Sequence, residues 1–240
     1  MRDVPPRRTV LAVSVAALGI VVAAFAIAWH AGLWRLPDRH NPWAPLSLAE
    51  TPGWTTRFKL SRLSRDPTLC REVLEGSGWK LTWLPDRETG EGCGFSNAAR
   101  IERMGLQVQA PFSLSCPAAA SLALWERHVL WPAAMAHFGA APVRLEHFGS
   151  YACRNVYGRR TGSRSRHATA DAIDVSGIVL EGGRRIAVAR SWDAEDPSSE
   201  FVQELHRGAC RFFDGVLGPD YNAAHADHLH LDRGPFRVCR

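Results

Sequence analysis

The chain has 240 residues, with 29 Lys and Arg against 24 Asp and Glu, a formal net charge of +5 that rests on arginine because Lys59 and Lys80 are the only lysines. The arginines are dispersed apart from Arg159 and Arg160 with Arg164 and Arg166. No aromatic-interleaved basic stripe accompanies them, so nucleic acid is excluded as a partner and an anionic polymer or lipid surface fits better.

Residues 1–9 read as a short basic N-terminus, with Arg2, Arg7 and Arg8 against Asp3. Val10 to Trp29 is uncharged for twenty residues, long enough at ~1.5 Å per residue to span a hydrocarbon core of about 30 Å. With the positive charge ahead of it, the segment is expected to be a transmembrane signal anchor of a single-pass inner-membrane protein, N-terminus in the cytoplasm and the rest in the periplasm. A cleaved signal peptide is the alternative, with Ala24-Phe25-Ala26 as a small-x-small site. Segment 30–56 follows as a linker, where Pro37, Pro42, Pro45 and Pro52 interrupt regular structure and Trp34 and Trp43 suit a membrane interface.

Residues 57–240 are enough for one domain with a sizeable core. All six cysteines lie beyond the apolar segment, and an even number in an exported chain implies three disulfides, for which a sequential pairing is expected: Cys70–Cys93, Cys116–Cys153 and Cys210–Cys239. Pro117 to Phe138 places Leu122, Trp125, Val129 and Met135 at helical spacing, which predicts a core-facing helix bent at Pro132. Val143 to Cys153 reads as a strand, and an Arg/Gly/Ser loop runs from Asn155 to Arg166. Asp171 to Leu180 and Arg185 to Ala189 form a hairpin about Glu181-Gly182-Gly183. Ser198 or Ser199 caps a helix through Phe213, and His228 to Asp232 is a last strand. This order predicts an α+β fold, helices flanking a small, mostly antiparallel sheet.

His167, Asp174 and His230 supply three nitrogen and oxygen donors, the ligand number of a catalytic zinc site that keeps a position for water. No cysteine falls within either cluster, which argues against a closed structural site. On a strand, His228, His230 and Asp232 share one face and Leu229 and Leu231 the other. His167 and Asp174 are seven apart and would face opposite sides of one strand, so His167 belongs to the preceding loop.

Ser165-x-His167-x-x-Ala170-x-Ala172-x-Asp174 resembles the S-x-H-x-x-G-x-A-x-D motif of zinc peptidases that include D-alanyl-D-alanine carboxypeptidases, dipeptidases, murein endopeptidases and hedgehog-type domains. His225-x-x-His228-x-His230 is similar to the H-x-x-H-x-H of the murein endopeptidases. More closely, Gly149-Ser-Tyr151-x-Cys153-Arg154, the His167 motif, Val216-Leu-Gly-Pro219 and the His225 to Asp232 run resemble the bacterial extensin-like C-terminal domain family, over about Arg57 to Cys239. The resemblance implies a D-Ala-D-Ala carboxypeptidase or hedgehog-like fold, zinc on His167, Asp174 and His230, and Arg154 at the substrate carbonyl or carboxylate. Either Asp227 or His228 is then the general base, with Ser165, His225 and Asp232 in supporting places. Two departures stand out: Ala170 replaces the usual Gly, and Asp227 stands where carboxypeptidases of the group carry Glu.

The function expected is zinc-assisted hydrolysis of amide bonds in the peptide crosslinks of peptidoglycan. The alternative is a zinc-stabilised module on the same scaffold that grips wall polymer or a protein without cutting it. The sequence sets no oligomeric state.

Overall fold

The structure is a computed structural model that describes residues 7–32 and 36–240. Arg2, Asp3 and Trp34, which entered the reading of the N-terminus, lie outside the described residues.

Helix α1 (Arg7–His30) takes in Arg7, Arg8 and His30 as well as the uncharged stretch. Among the described residues no helix is long and apolar enough to cross a membrane. The expected transmembrane anchor is therefore overturned, and with it the single-pass inner-membrane placement. The Pro-rich segment is no free tether, because Ala44, Leu46 and Leu48 are buried and Lys59 donates from Nζ to the carbonyls of Asp38 and Pro45.

Helices α2 (Thr56–Leu63) and α3 (Pro67–Glu75) come next. Asp66 caps α3 by accepting the Leu69 N–H at 3.0 Å, and Pro67 occupies the first turn where no N–H is required. Strands β1 (Lys80–Trp83), β2 (Arg87–Gly90), β3 (Cys93–Phe95), β4 (Ala98–Arg103) and β5 (Gln107–Ser115) follow. The predicted helix from Pro117 to Phe138 is two helices, α4 (Cys116–Trp125) and α5 (Trp131–Phe138), joined by a π-helical turn at Glu126–Leu130. Pro132 has no N–H to offer the preceding turn, and the Trp131 N–H bonds back to the Glu126 carbonyl instead. Leu122, Trp125 and Val129 are buried as predicted, whereas Met135 is 50% exposed and not part of the core.

The second half comprises β6 (Pro142–Gly149), β7 (Ala172–Leu180), β8 (Arg185–Ala187), α6 (Val188–Ser191), α7 (Pro197–Ala209), β9 (Gly215–Leu217), β10 (Leu229–Asp232) and β11 (Val238–Cys239). Asp196, not Ser198 or Ser199, caps α7, accepting the Ser198 N–H at 2.7 Å. Phe201, Val202, Leu205 and Ala209 bury one face of that helix.

The sheet is α+β in context but neither small nor mostly antiparallel as expected; it is mixed. Its order is β1-β4-β5-β6-β7-β10-β9-β11 with β8 beside β7, and β5–β6 and β9–β11 pair in parallel. The β5–β6 crossover through α4 and α5 accounts for the first parallel pairing, since a helical connection returns the chain in the same direction. Strand β7 is central: β6 runs along one edge, and β10 and β8 share the other. Ile173, Val175, Leu229 and Leu231 join the helix-covered core with Trp125, Phe201 and Phe213.

Three disulfides cross-link the domain: Cys70–Cys116, Cys93–Cys153 and Cys210–Cys239. Only the last matches the expected pairing. Cys70–Cys93 and Cys116–Cys153 do not form, because α3 packs on α4 while β3 lies against the segment leading to the 155–166 loop. Each bridge restricts the unfolded chain by roughly 4 kcal/mol on the loop-entropy account.

Candidate metal centre

Alternation along two neighbouring strands builds the centre. Leu229 and Leu231 of β10 pair with Val175 and Ile173 of β7 on the core side, so Asp174 and His230, directly opposite one another in the register, project from the other face. His167 arrives from the 3-10 turn Arg166–Thr169 that precedes β7. Ser165 caps that turn. Asp171 anchors it by accepting the hydroxyls of Ser115 and Thr169, each at 2.6 Å, and its burial pushes its carboxyl up. The turn closes through Ala170, which adopts a left-handed conformation at φ 56°, ψ 28°. The position is one that glycine takes without strain, and Ala170 holds it while fully buried.

The three donors converge. His167 Nε2 lies 3.2 Å from Asp174 Oδ2 and 3.3 Å from His230 Nδ1, and His230 Nδ1 lies 2.8 Å from Asp174 Oδ1. Ligands ~2.0–2.1 Å from a tetrahedral ion sit about 3.3 Å apart, so the triangle has the dimensions of one face of such a site. Acceptors behind the rings orient them. His167 Nδ1–H donates to the Ser150 carbonyl at 2.9 Å, leaving Nε2 bare toward the centre. His230 Nε2–H donates to Asp232 Oδ2 at 3.0 Å, turning Nδ1 inward. Such outer acceptors fix the tautomer and raise the basicity of a metal-ligating imidazole. The donor set, two imidazoles and a carboxylate with both rings pre-oriented, fits a divalent ion of the zinc type.

Backbone features place those acceptors. Gly149 ends β6 with φ +127° after three register shifts against β7, which carries the Ser150 carbonyl to His167. Gly215 of β9 pairs with Asp232, and a side chain there would collide with the Asp232 carboxylate.

Electrostatics follow from this crowding. Burial opposes the charge on Asp174, yet hydrogen bonds from His167 and His230 hold its carboxyl far below the ordinary range. Burial likewise opposes protonation of His230, but hydrogen bonds to Asp174 and Asp232 outweigh it and raise the imidazole to about 9. His225, pushed down to about 4 by burial and by the neighbouring His230 and His228, is a neutral ring beside the centre.

A cleft of about 610 Å³ opens over the donors; Arg154, Ser165, His225, His228 and Asp232 line it with His167, Asp174 and His230. Asp227 is turned elsewhere: its side chain is 57% exposed and its Oδ1 lies 2.8 Å from His228 Nδ1. His228 Nε2 lies 3.4 Å from Asp174 Oδ1. The site also draws on Ser150, Tyr157 and Asn222, which the sequence reading passed over; a serine acting through its carbonyl leaves no side-chain signature. Asn222, three residues before His225 and aligned with no zinc motif, gives little more. A second grouping, His206 with Cys210 and Cys239, has both sulfurs in a disulfide and so offers one nitrogen.

No curated protein and no solved structure matches the chain. Residues 68–240 match the family described as Extensin-like protein C-terminus. That span contains the His167 turn, β7 and β10 and all six cysteines, and it covers well over half of the sequence: the chain belongs to the Extensin-like protein C-terminus family.

Proposed function

We propose that the chain is a zinc-dependent amide hydrolase acting on the peptide crosslinks of peptidoglycan, with His167, Asp174 and His230 as the ligands. The observation that carries this reading is the convergence of His167 Nε2, Asp174 and His230 Nδ1 on one point at the floor of an open cleft. A divalent ion held there supplies Lewis acidity toward the substrate carbonyl and acidifies water. Asp232 supports the reading because it engages the outward nitrogen of His230 and so leaves the cleft side of the centre to water and substrate.

His228 is the proposed general base. Asp227 accepts from Nδ1–H, so Nε2, on the side of Asp174, takes the proton of the attacking water and returns it to the leaving amine. Asp227 is the positioning group. Arg154, exposed on the cleft wall, offers a guanidinium to the oxygen that gains charge or to a substrate carboxylate. Three disulfides agree with an oxidising compartment, where wall polymer is met.

The second reading is a non-catalytic wall-binding module; the exposure of Asp227, which stands where a buried acid would serve as base, favours it. Metal analysis of the purified chain, followed by digestion of purified peptidoglycan with and without chelator, separates the two. One divalent ion per chain, lost in His167→Ala, Asp174→Ala and His230→Ala, with chelator-sensitive release of muropeptides, is the expected result. A metal-loaded chain that binds wall polymer and releases nothing gives the module, and a chain that stays metal-free after zinc loading ends both readings.

A further inference from the structure

The hydrogen bonds around His225 determine which of its nitrogens carries a proton. Asn222 Oδ1 accepts the backbone N–H of Ala224 at 3.0 Å. A backbone N–H can only donate, so this contact fixes which end of the Asn222 amide is oxygen. The same Oδ1 lies 2.8 Å from His225 Nδ1, which must therefore be the N–H side of the ring. The other end of the amide, Nδ2, donates to the Tyr157 hydroxyl at 3.0 Å. His225 Nε2 is left with a bare lone pair and, among the described residues, no hydrogen-bond partner. The ring stands in the cleft wall, its centroid 5.3 Å from that of His228 and 5.7 Å from that of His230.

Tyr157 reaches Asn222 at a conformational cost. It sits in the 155–166 loop at φ 57°, ψ 22°, a left-handed region that bulky residues rarely occupy. Such a backbone persists only where surrounding contacts over-determine it, and those contacts cluster at functional sites. Here they are the turn bonds Val156 N–H to Ser163 O and Gly158 N–H to Asn155 O, and the hydroxyl bond to Asn222.

We propose that Tyr157 and Asn222 are positioning residues that lock His225 as a fixed hydrogen-bond acceptor in the cleft, so that the site takes substrates presenting an N–H next to the scissile amide, as a peptide backbone does. The inference rests on the cleft being the substrate site proposed above. With its Nδ1–H held by Asn222, the ring receives a donor at Nε2 and repels an acceptor there; an ester or an N-alkylated amide at that position leaves the nitrogen unpaired. His225 thereby discriminates between substrates while His228 handles the proton.

The test reads the tautomer directly, in the full metal-free chain, by nitrogen and carbon NMR of labelled histidines. His225 is expected as a single Nδ1–H tautomer in the wild type and in Asn222→Asp, which keeps an acceptor for Nδ1, and as a mixture in Asn222→Leu, with Tyr157→Phe between them. In the zinc-loaded chain, Asn222→Leu is expected to raise KM for muropeptide fragments about tenfold with metal content unchanged. An Nε2–H tautomer in the wild type, or a tautomer indifferent to Asn222→Leu, overturns the proposal. If the chain hydrolyses nothing, the proposed activity fails while the NMR result still decides the lock; binding of the same fragments, weakened about tenfold in Asn222→Leu, then replaces KM, and unchanged binding overturns the acceptor role.

Discussion

Asp232 stands two residues beyond His230 on the same face of β10 and accepts its Nε2–H at 3.0 Å, while Asp174 on the neighbouring strand faces the other nitrogen of the same ring at 2.8 Å. One imidazole is thus held between two carboxylates with different tasks. The inner one is a ligand in the proposed centre and the outer one sets the ring.

If that division holds, Asp232→Asn keeps an oxygen for the Nε2–H but removes the charge, and zinc affinity should fall about 10- to 100-fold. Competition against a chromophoric chelator measures it. His230→Ala should lose binding altogether, and an Asp232→Asn chain that holds zinc as tightly as wild type would show the outer carboxylate to be incidental.

Glu126 makes a separate prediction about stability. Burial pushes its carboxyl up to about 7, against hydrogen bonds such as that from Trp79 Nε1 at 2.8 Å. The folded chain then holds this proton more tightly than the unfolded chain, whose pKa is near 4.5. The contribution is fully present below the unfolded value and is lost as pH rises through the folded one, by roughly 3 kcal/mol at most. Glu126→Gln retains a neutral acceptor for Trp79, so thermal unfolding should find it equal to wild type at about pH 4 and clearly more stable at pH 8. A difference that does not change with pH would sink the assignment.

Ala170 allows a test of backbone strain by comparison with its neighbour. Ala170→Gly relieves a left-handed alanine, worth about 1 kcal/mol, and loses a buried methyl, worth about 0.8 kcal/mol, so urea denaturation should find it close to wild type. Ala172→Gly loses the same methyl from a buried strand position whose own φ is not positive, and should cost about 1–2 kcal/mol. Equal losses at both positions would mean that Ala170 is unstrained.

The grouping of His167, Asp174 and His230 was legible because period-two alternation is local: His230, Asp232 and the intervening Leu231 announce a strand with a polar face. His167 could be placed on a loop by counting alone. The sheet's parallel pairings were not legible, since the direction of β6 beside β5 depends on where α4 and α5 return the chain, a long-range matter on which residues 142–149 are silent. Disulfide pairing failed for the same reason: proximity in sequence favoured Cys70 with Cys93, and the packing of α3 on α4 decided otherwise. The apolar N-terminal stretch was read as an anchor from its length and lack of charge, whereas among the described residues no helix is long and apolar enough to cross a membrane. Asn222 and Tyr157 escaped notice because a tautomer is set by a network, and a network has no spacing.

His230 sits opposite Asp174 in the β10–β7 ladder, and this pairing has a consequence for how the chain assembles. Slipping β10 by one residue would turn His230 toward the apolar core and Leu231 toward the cleft, so the donor triangle exists in one alignment of these strands alone. An ion that prefers the triangle therefore acts as a proofreader of strand pairing, favouring the correctly registered chain over its misaligned competitors before any substrate is met.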